Sequence, residues 1–220
     1  MTDTRKNPKR RGAASAATGI NRHKRRGAAS AATGKKKKTP RKATPKYLEN
    51  AALYYLSRFA TSAENLKRVL MRKVDRSAHY HGTDAEEGRA HVDGLIGRYL
   101  NSGLLDDAVY ARSRAESLHR RGNSARMIRG KLRQKGVADE DIENALEARG
   151  KDGGEDGGDA ELQAAVNFAR RRRLGPFGTR GLAPEKREKQ LAALARAGFS
   201  YDIARRVVEA DSTDDILQPI

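Results

Sequence analysis

From Leu48 onward apolar residues recur every three or four positions, and no segment sustains the period-two alternation of a strand, so the pattern predicts an all-helical chain. Leu48, Ala52, Tyr55, Leu56 and Phe59 form a first stripe, and Leu66, Val69, Leu70 and Val74 a second. Thr61-Ser62-Ala63-Glu64 between them has the spacing of a capping box, in which the hydroxyl accepts from free amides and the Glu reaches back. A third stripe, Val92, Leu95, Ile96, Tyr99 and Leu100, ends at Gly103, suited to a left-handed C-terminal residue. The loop from Asp75 to Gly88 reads as long. Asp106 or Asp107 opens a fourth helix through Ala108, Ala111, Ala115 and Leu118, which stops near Gly122. Ser124 caps a fifth, with Ile128 and Leu132 inside and Gly136 at its end. A short sixth carries Ile142, Ala145 and Leu146, and the Gly- and Asp-rich stretch Lys151 to Asp159 reads as a linker. A seventh helix follows with Leu162, Ala165, Val166 and Ala169. Pro184 opens an eighth, with Leu191 and Leu194 inside and Gly198 beyond it, and Ile203, Val207 and Val208 mark a ninth.

These helices fall into three sets of three, and the sets resemble one another. Leu132-Arg-Gln-Lys-Gly136-Val137, followed by Ile142 and Leu146, parallels Leu194-Ala-Arg-Ala-Gly198-Phe199, followed by Ile203 and Val207. The first set offers Leu70-Met-Arg-Lys-Val74, with Val where the others have Gly. Stacked helical repeats bury their apolar faces against neighbours and leave long surfaces for a polymeric partner. On periodicity alone a single helical bundle stays open. The implied organisation is a tail over 1–46, repeats over 47–105 and 106–150, an acidic linker over 151–158, a third repeat over 159–210, and a flexible C-terminus over 211–220.

Charge sets the tail apart. Met1 to Lys46 holds 16 Lys or Arg against Asp3 alone and supplies +15 of the formal +18, so the high pI does not describe the folded part. The ten letters RRGAASAATG occur at Arg10–Gly19 and again at Arg25–Gly34, too short a period for a packed unit, and Lys35, Lys36, Lys37 and Lys38 follow. With almost no large apolar side chains before Tyr47, the tail is expected to be disordered and to attract DNA phosphate through those lysines. The chain lacks Cys, which excludes disulfides, zinc ribbons and thiol catalysis. It also lacks the apolar run of about 18 residues that a membrane span needs, and its start lacks the apolar segment of a signal peptide. A cytoplasmic, nucleoid-associated protein is expected.

The chemistry sought in the sequence is largely missing. Gly34-Lys35 lacks both the upstream Gly and the following Ser or Thr of a phosphate-binding loop. His79, His81 and His91 show no recognised metal-ligand spacing and read as solvated loop histidines. Asp106-Asp107 reads as helix capping and Glu86-Glu87 as a solvated loop. No catalytic residue, cofactor or metal is predicted, and the chain is read as a non-enzyme. What remains is blocked charge: Arg112 to Lys135 carries nine cations against Glu116, while Asp139 to Glu161 carries ten acids against Arg149 and Lys151.

Taken in order, several motifs resemble the RecX family of RecA regulators. They are Tyr55-Leu56-Ser57-Arg58 with Thr61, Glu64, Leu66 and Leu70; Leu95-Ile96 and then Gly103-Leu104-Leu105-Asp106-Asp107 with Tyr110-Ala111; Arg121-Gly122 with Ile128, Leu132 and Lys135-Gly136-Val137; and Gly198-Phe199-Ser200-Tyr201 with Ile203. Together they cover Leu48 to Glu209. Val74, the long loop and the acidic linker depart from the family pattern, and the tail lies outside it. The resemblance implies three tandem three-helix repeats in a curved, elongated array lying in the groove of the RecA–DNA filament. It also implies inhibition of RecA's ATPase, strand-exchange and co-protease activities. The expected partners are the filament and single- and double-stranded DNA without sequence preference, met by a monomer. The contact residues expected from charge are Arg112, Arg114, Arg120, Arg121, Arg126, Arg129, Lys131, Arg133, Lys135, Arg170, Arg171, Arg172 and Arg173. A different class of reading, a chromatin-like DNA-compacting protein acting through its basic tail, stands beside this one, and an RNA-binding helical adaptor is a third.

Overall fold

A computed structural model of the chain describes residues 39–152, 157–178 and 184–217, so the expectations for Lys35 to Lys38 and for most of the tail lie outside the described residues. Regular structure among the described residues is entirely helical. The first repeat contains α1 (Pro45–Leu56), α2 (Ala63–His81) and α3 (Ala85–Asn101); the second α4 (Asp107–Arg120), α5 (Ala125–Gln134) and α6 (Asp139–Asp152). The third contains α7 (Gly157–Arg172), α8 (Pro184–Arg196) and α9 (Tyr201–Glu209), followed by a short α10 (Thr213–Leu217).

Local sequence accounts for the boundaries. Thr44, Ser62, Asp84, Asp106, Ser124 and Ser200 each sit in extended backbone and accept from an amide of the following turn. Gly82, Gly122, Gly136 and Gly198 leave their helices in the left-handed region. The apolar stripes then gather into three cores: Leu48 to Leu105, Ala111 to Leu146, and Leu162 to Ile216.

Several expectations change here. The cap of α2 is Ser62, and Glu64 turns forward to Arg68 instead of back, so Thr61-Ser62-Ala63-Glu64 forms no reciprocal box. Val74 does not end α2. A β-branched residue has no need to leave the helix as the glycines do, so α2 runs on to His81 and the expected loop shrinks to Gly82–Asp84. His79 and His81 are therefore helical, and Glu86 and Glu87 lie in the first turn of α3, where they favour its positive end. The extra turns of α2 pack tightly: a Cβ on Gly88 would stand 2.4 Å from Val74 Cγ1. They also hold chain preceding residue 47, because Ala43 N–H donates to Ser77 Oγ at 2.9 Å and the Pro40 carbonyl lies 2.7 Å from His81 Nε2. Phe59 and Leu100, counted as core, are exposed. Helix α6 continues to Asp152 and α7 starts at Gly157, so helix takes most of the stretch read as linker, of which 153–156 lies outside the described residues. The C-terminus expected to be flexible holds α10, whose Ile216 is fully buried in the third core.

The repeats join through one polar device used twice. At the start of α2, Ser62 Oγ donates to the carbonyl of Lys135 at the end of α5, and Asp107 Oδ1 of α4 accepts from Ala63 N–H at 2.8 Å. At the start of α5, Ser124 Oγ donates to the Ala197 carbonyl at the end of α8 at 2.6 Å, and the Glu161 carboxylate of α7 accepts from Ala125 N–H at 3.0 Å. Both hydroxyl contacts span 73 residues. An orphan amide at a helix start is thus satisfied by an acid from the next repeat. Burial raises both carboxyl pKa values above the ordinary carboxylate range.

The second junction also contains His119, whose Nε2 lies 2.6 Å from the Ala160 carbonyl. Burial holds this imidazole below its ordinary 6.5 against the opposing effect of that hydrogen bond, and the Arg149 charge adds to the lowering. The fold therefore prefers neutral His119, and its contribution is complete above pH 6.5 and lost as pH falls through the folded value. Glu161 acts with the opposite sign, its contribution complete below its ordinary 4.5 and lost as pH rises through its raised folded value. H119Q can still donate to Ala160, so it should lose less stability than the parent between pH 7.5 and 5.5 in urea titrations. Equal losses would remove His119 from the account.

Candidate nucleic-acid interface

The charged residues of the second and third repeats meet along a groove between them. On α4, Arg114, Leu118 and Arg121 recur at i, i+4 and i+7 and so share a face. Gly122, at φ +75°, reverses the chain into Asn123, and α5 then presents Met127 and Lys131 one turn apart. From the other side, the last turn of α7 supplies Phe168, Arg171 and Arg172, and the last turn of α8 supplies Ala193, Arg196 and Ala197. Together they line a cavity of about 770 Å³.

The lining carries six cations and no acid. Lys131 registers that crowding: burial lowers its pKa, and the charges of Arg114 and Arg121 lower it further. Contacts within the groove set three of the cations in place. Arg171 Nη1 donates to the Arg121 carbonyl at 2.8 Å, Lys131 Nζ donates to Asn123 Oδ1, and the Arg172 guanidinium lies 5.7 Å from the centre of the Phe168 ring. Arg114, Arg121 and Arg196 have no acidic partner among the described residues. Cations in a last turn complement the negative end of a helix. That explains the position of several of these residues on their own helices, though not their convergence on one cavity.

Of the residues expected to contact a partner, Arg114, Arg121, Lys131, Arg171 and Arg172 gather here. The others do not. Arg129 forms a bidentate pair with Glu143 at 2.6 and 2.8 Å, and Arg133 meets Asp139 at 2.6 Å, so the basic face of α5 is partly spent on acidic α6. The neighbouring charge blocks thus neutralise each other in part. Arg120 pairs with Glu116 one turn back, and Lys135 reaches Asn65 Oδ1 at the first junction. Arg170 lies over Phe177, while Arg112, Arg126 and Arg173 are exposed. Sequence reasoning missed Arg196, although it lies within Leu194-Ala-Arg-Ala-Gly198, because that segment served only to establish the repeat. Among the described residues no group of three or more His, Asp or Glu could hold a metal, and no helix is long and apolar enough to cross a membrane.

Comparison with known proteins places these features in context. The family model for the second three-helix domain of RecX matches residues 106–146. The regulatory protein RecX of Myxococcus xanthus (strain DK1622) is 45% identical over 175 residues, covering 79% of this chain and 90% of that protein. The regulatory protein RecX of Agrobacterium fabrum is 30% identical over 175 residues, 78% of this chain and 88% of its own length. The crystal structure of RecX from Lactobacillus salivarius shares the fold, with a TM-score of 0.53 at 22% identity over 75% of this chain and 94% of that one.

Proposed function

The chain belongs to the RecX family, and from that premise we propose that it is a negative regulator of RecA. In this reading it binds in the groove of the RecA–DNA filament and lowers the ATPase, strand-exchange and co-protease activities. It acts as a cytoplasmic monomer that also touches DNA without sequence preference. The observation that carries the reading is 45% identity maintained along 90% of a protein named as a regulator. The form of the molecule agrees with it. Successive repeats lay helix faces beside one another, suiting a long repetitive partner better than a small ligand. The basic groove between the second and third repeats offers such a partner a charged surface that can orient it on approach.

The test is DNA-dependent ATP hydrolysis by the RecA of the same bacterium. Hydrolysis should slow with the full chain present at well below one molecule per RecA. Unchanged hydrolysis at a molar excess over RecA, under conditions where the chain binds DNA, would end this reading.

A further inference from the structure

We propose that the groove lined by Arg114, Arg121, Lys131, Arg171, Arg172 and Arg196 is a binding site for single-stranded nucleic acid, with a lower preference for duplex. The site needs no RecA. It rests on the reading above only for its biological setting, since free DNA suffices to test it.

The chemistry of the lining selects the ligand. Six cations without an acid call for a polyanion, and three of them have no acidic partner among the described residues. Between the cations lies apolar surface: a Met127 that is 39% exposed, with Phe168 and Leu174 half-buried beside it. A phosphate chain with bases attached supplies both halves of this match, with its phosphates on the arginines and its base faces on the apolar floor. The guanidinium on Phe168 adds a flat cationic surface of the kind on which unpaired bases stack. A duplex keeps its bases stacked inward and offers the floor nothing apolar. An acidic peptide would satisfy the arginines but has no regular apolar plane for the floor. The size agrees, because about 770 Å³ is the range of sites that enclose a small ligand, room for a few nucleotides of one strand.

The contacts inside the groove argue for a preformed site. Arg171 is tied to the Arg121 carbonyl, which fixes α7 against the end of α4, and Asn123 holds Lys131 although burial and two neighbouring arginines disfavour its charge. Such an arrangement holds positive charges close together, and an anion would relieve their repulsion.

The test uses the full chain and fluorescein-labelled oligothymidylate, with a duplex of equal length as comparator. R114Q, R121Q and R196Q combined in one variant keep the side-chain stems and remove the three cations without acidic partners. A control variant combines R72Q, R76Q and R89Q, which change three exposed arginines outside the groove and outside the expected contact residues. The basic tail is present in every protein, so its contribution is common to all. The groove variant should bind oligothymidylate about tenfold more weakly or worse. Its salt dependence should flatten by about two phosphate contacts, at roughly 0.7 per contact for a single strand. The control variant and the duplex should change much less. Circular dichroism should show both variants folded. Photocrosslinking of a 4-thiothymidine oligonucleotide to the parent should label peptides containing Met127 or Phe168. Equal weakening by both variants, equal loss for duplex and single strand, or crosslinks confined to residues 1–46 would overturn the proposal. So would unchanged oligothymidylate binding together with lost association with the RecA–DNA filament, which would assign the groove to an acidic protein surface. A groove variant that loses oligothymidylate but still slows ATP hydrolysis would support this site and leave the RecA reading standing. Parent protein that binds oligothymidylate in the groove without affecting hydrolysis would support the site and end the RecA reading.

Discussion

Gly122→Ala is expected to cost about 2–5 kcal/mol of stability. Two effects add at this residue. Its φ of +75° imposes a left-handed conformation that penalises any Cβ by about 1–2 kcal/mol. The added Cβ would also stand 2.4 Å from the Phe168 backbone nitrogen and 2.7 Å from its Cα. Those are main-chain atoms of α7, and they cannot swing aside as a side chain would, so the second and third repeats must separate. Overpacking of this kind adds about 1–3 kcal/mol. Gly82→Ala provides the comparison. Gly82 has a similar φ of +65°, but a Cβ there would meet nothing within 4 Å, so only the conformational part of about 1–2 kcal/mol applies. Urea unfolding of both variants should reveal the difference as a clearly lower midpoint for Gly122→Ala. Equal midpoints would show that α7 can retreat from the turn.

Much of this architecture can be read in the pattern of apolar residues. Stripes such as Val92, Leu95, Ile96 and Tyr99, or Ile128 and Leu132, are buried because a helix with one apolar side has one way to satisfy it. The misreadings arise where the deciding contact is distant in sequence. Val74 resembles a helix end by analogy with Gly136 and Gly198, but the analogy concerns a residue that is absent, and α2 continues. Phe59 follows the stripe of α1 and yet lies beyond the end of that helix, where the stripe no longer has a face to belong to. The groove was half visible. Its cations were conspicuous as a run, whereas which of them face each other depends on how α4, α7 and α8 end. No pattern within one helix reveals that Arg129 and Arg133 turn to acids on α6, while Arg114 and Arg121 turn to the cavity.

The second large effect concerns the end of the chain. Ile216 belongs to a helix of five residues after a bend, a setting in which loose structure is the usual expectation. Its side chain is nevertheless fully buried in the core formed by α7, α8 and α9. Ile216→Ala should therefore cost about 2–4 kcal/mol, the range for emptying an apolar site that collapses only in part. Hydrogen exchange would locate the damage. Amides of α9 should lose protection while those of α2 and α3 keep theirs, because the first repeat has a core of its own. A change below about 0.5 kcal/mol would show that α10 only rests on the third repeat.

The twice-used junction bears on self-association. Joining one unit's helix start to the next unit's helix end is a head-to-tail contact, and such contacts can extend without limit when every unit offers the same two faces. Here the face is not offered a third time. Ala63 and Ala125 open α2 and α5 with an N–H for the acid of the following repeat, but α8 opens with Pro184, whose ring nitrogen has no hydrogen to give. A carboxylate from another copy of the chain, brought up in the same register, would not find there the N–H that Ala63 and Ala125 supply. The acid-to-amide contact that joins repeats within one molecule thus lacks its donor at the start of α8.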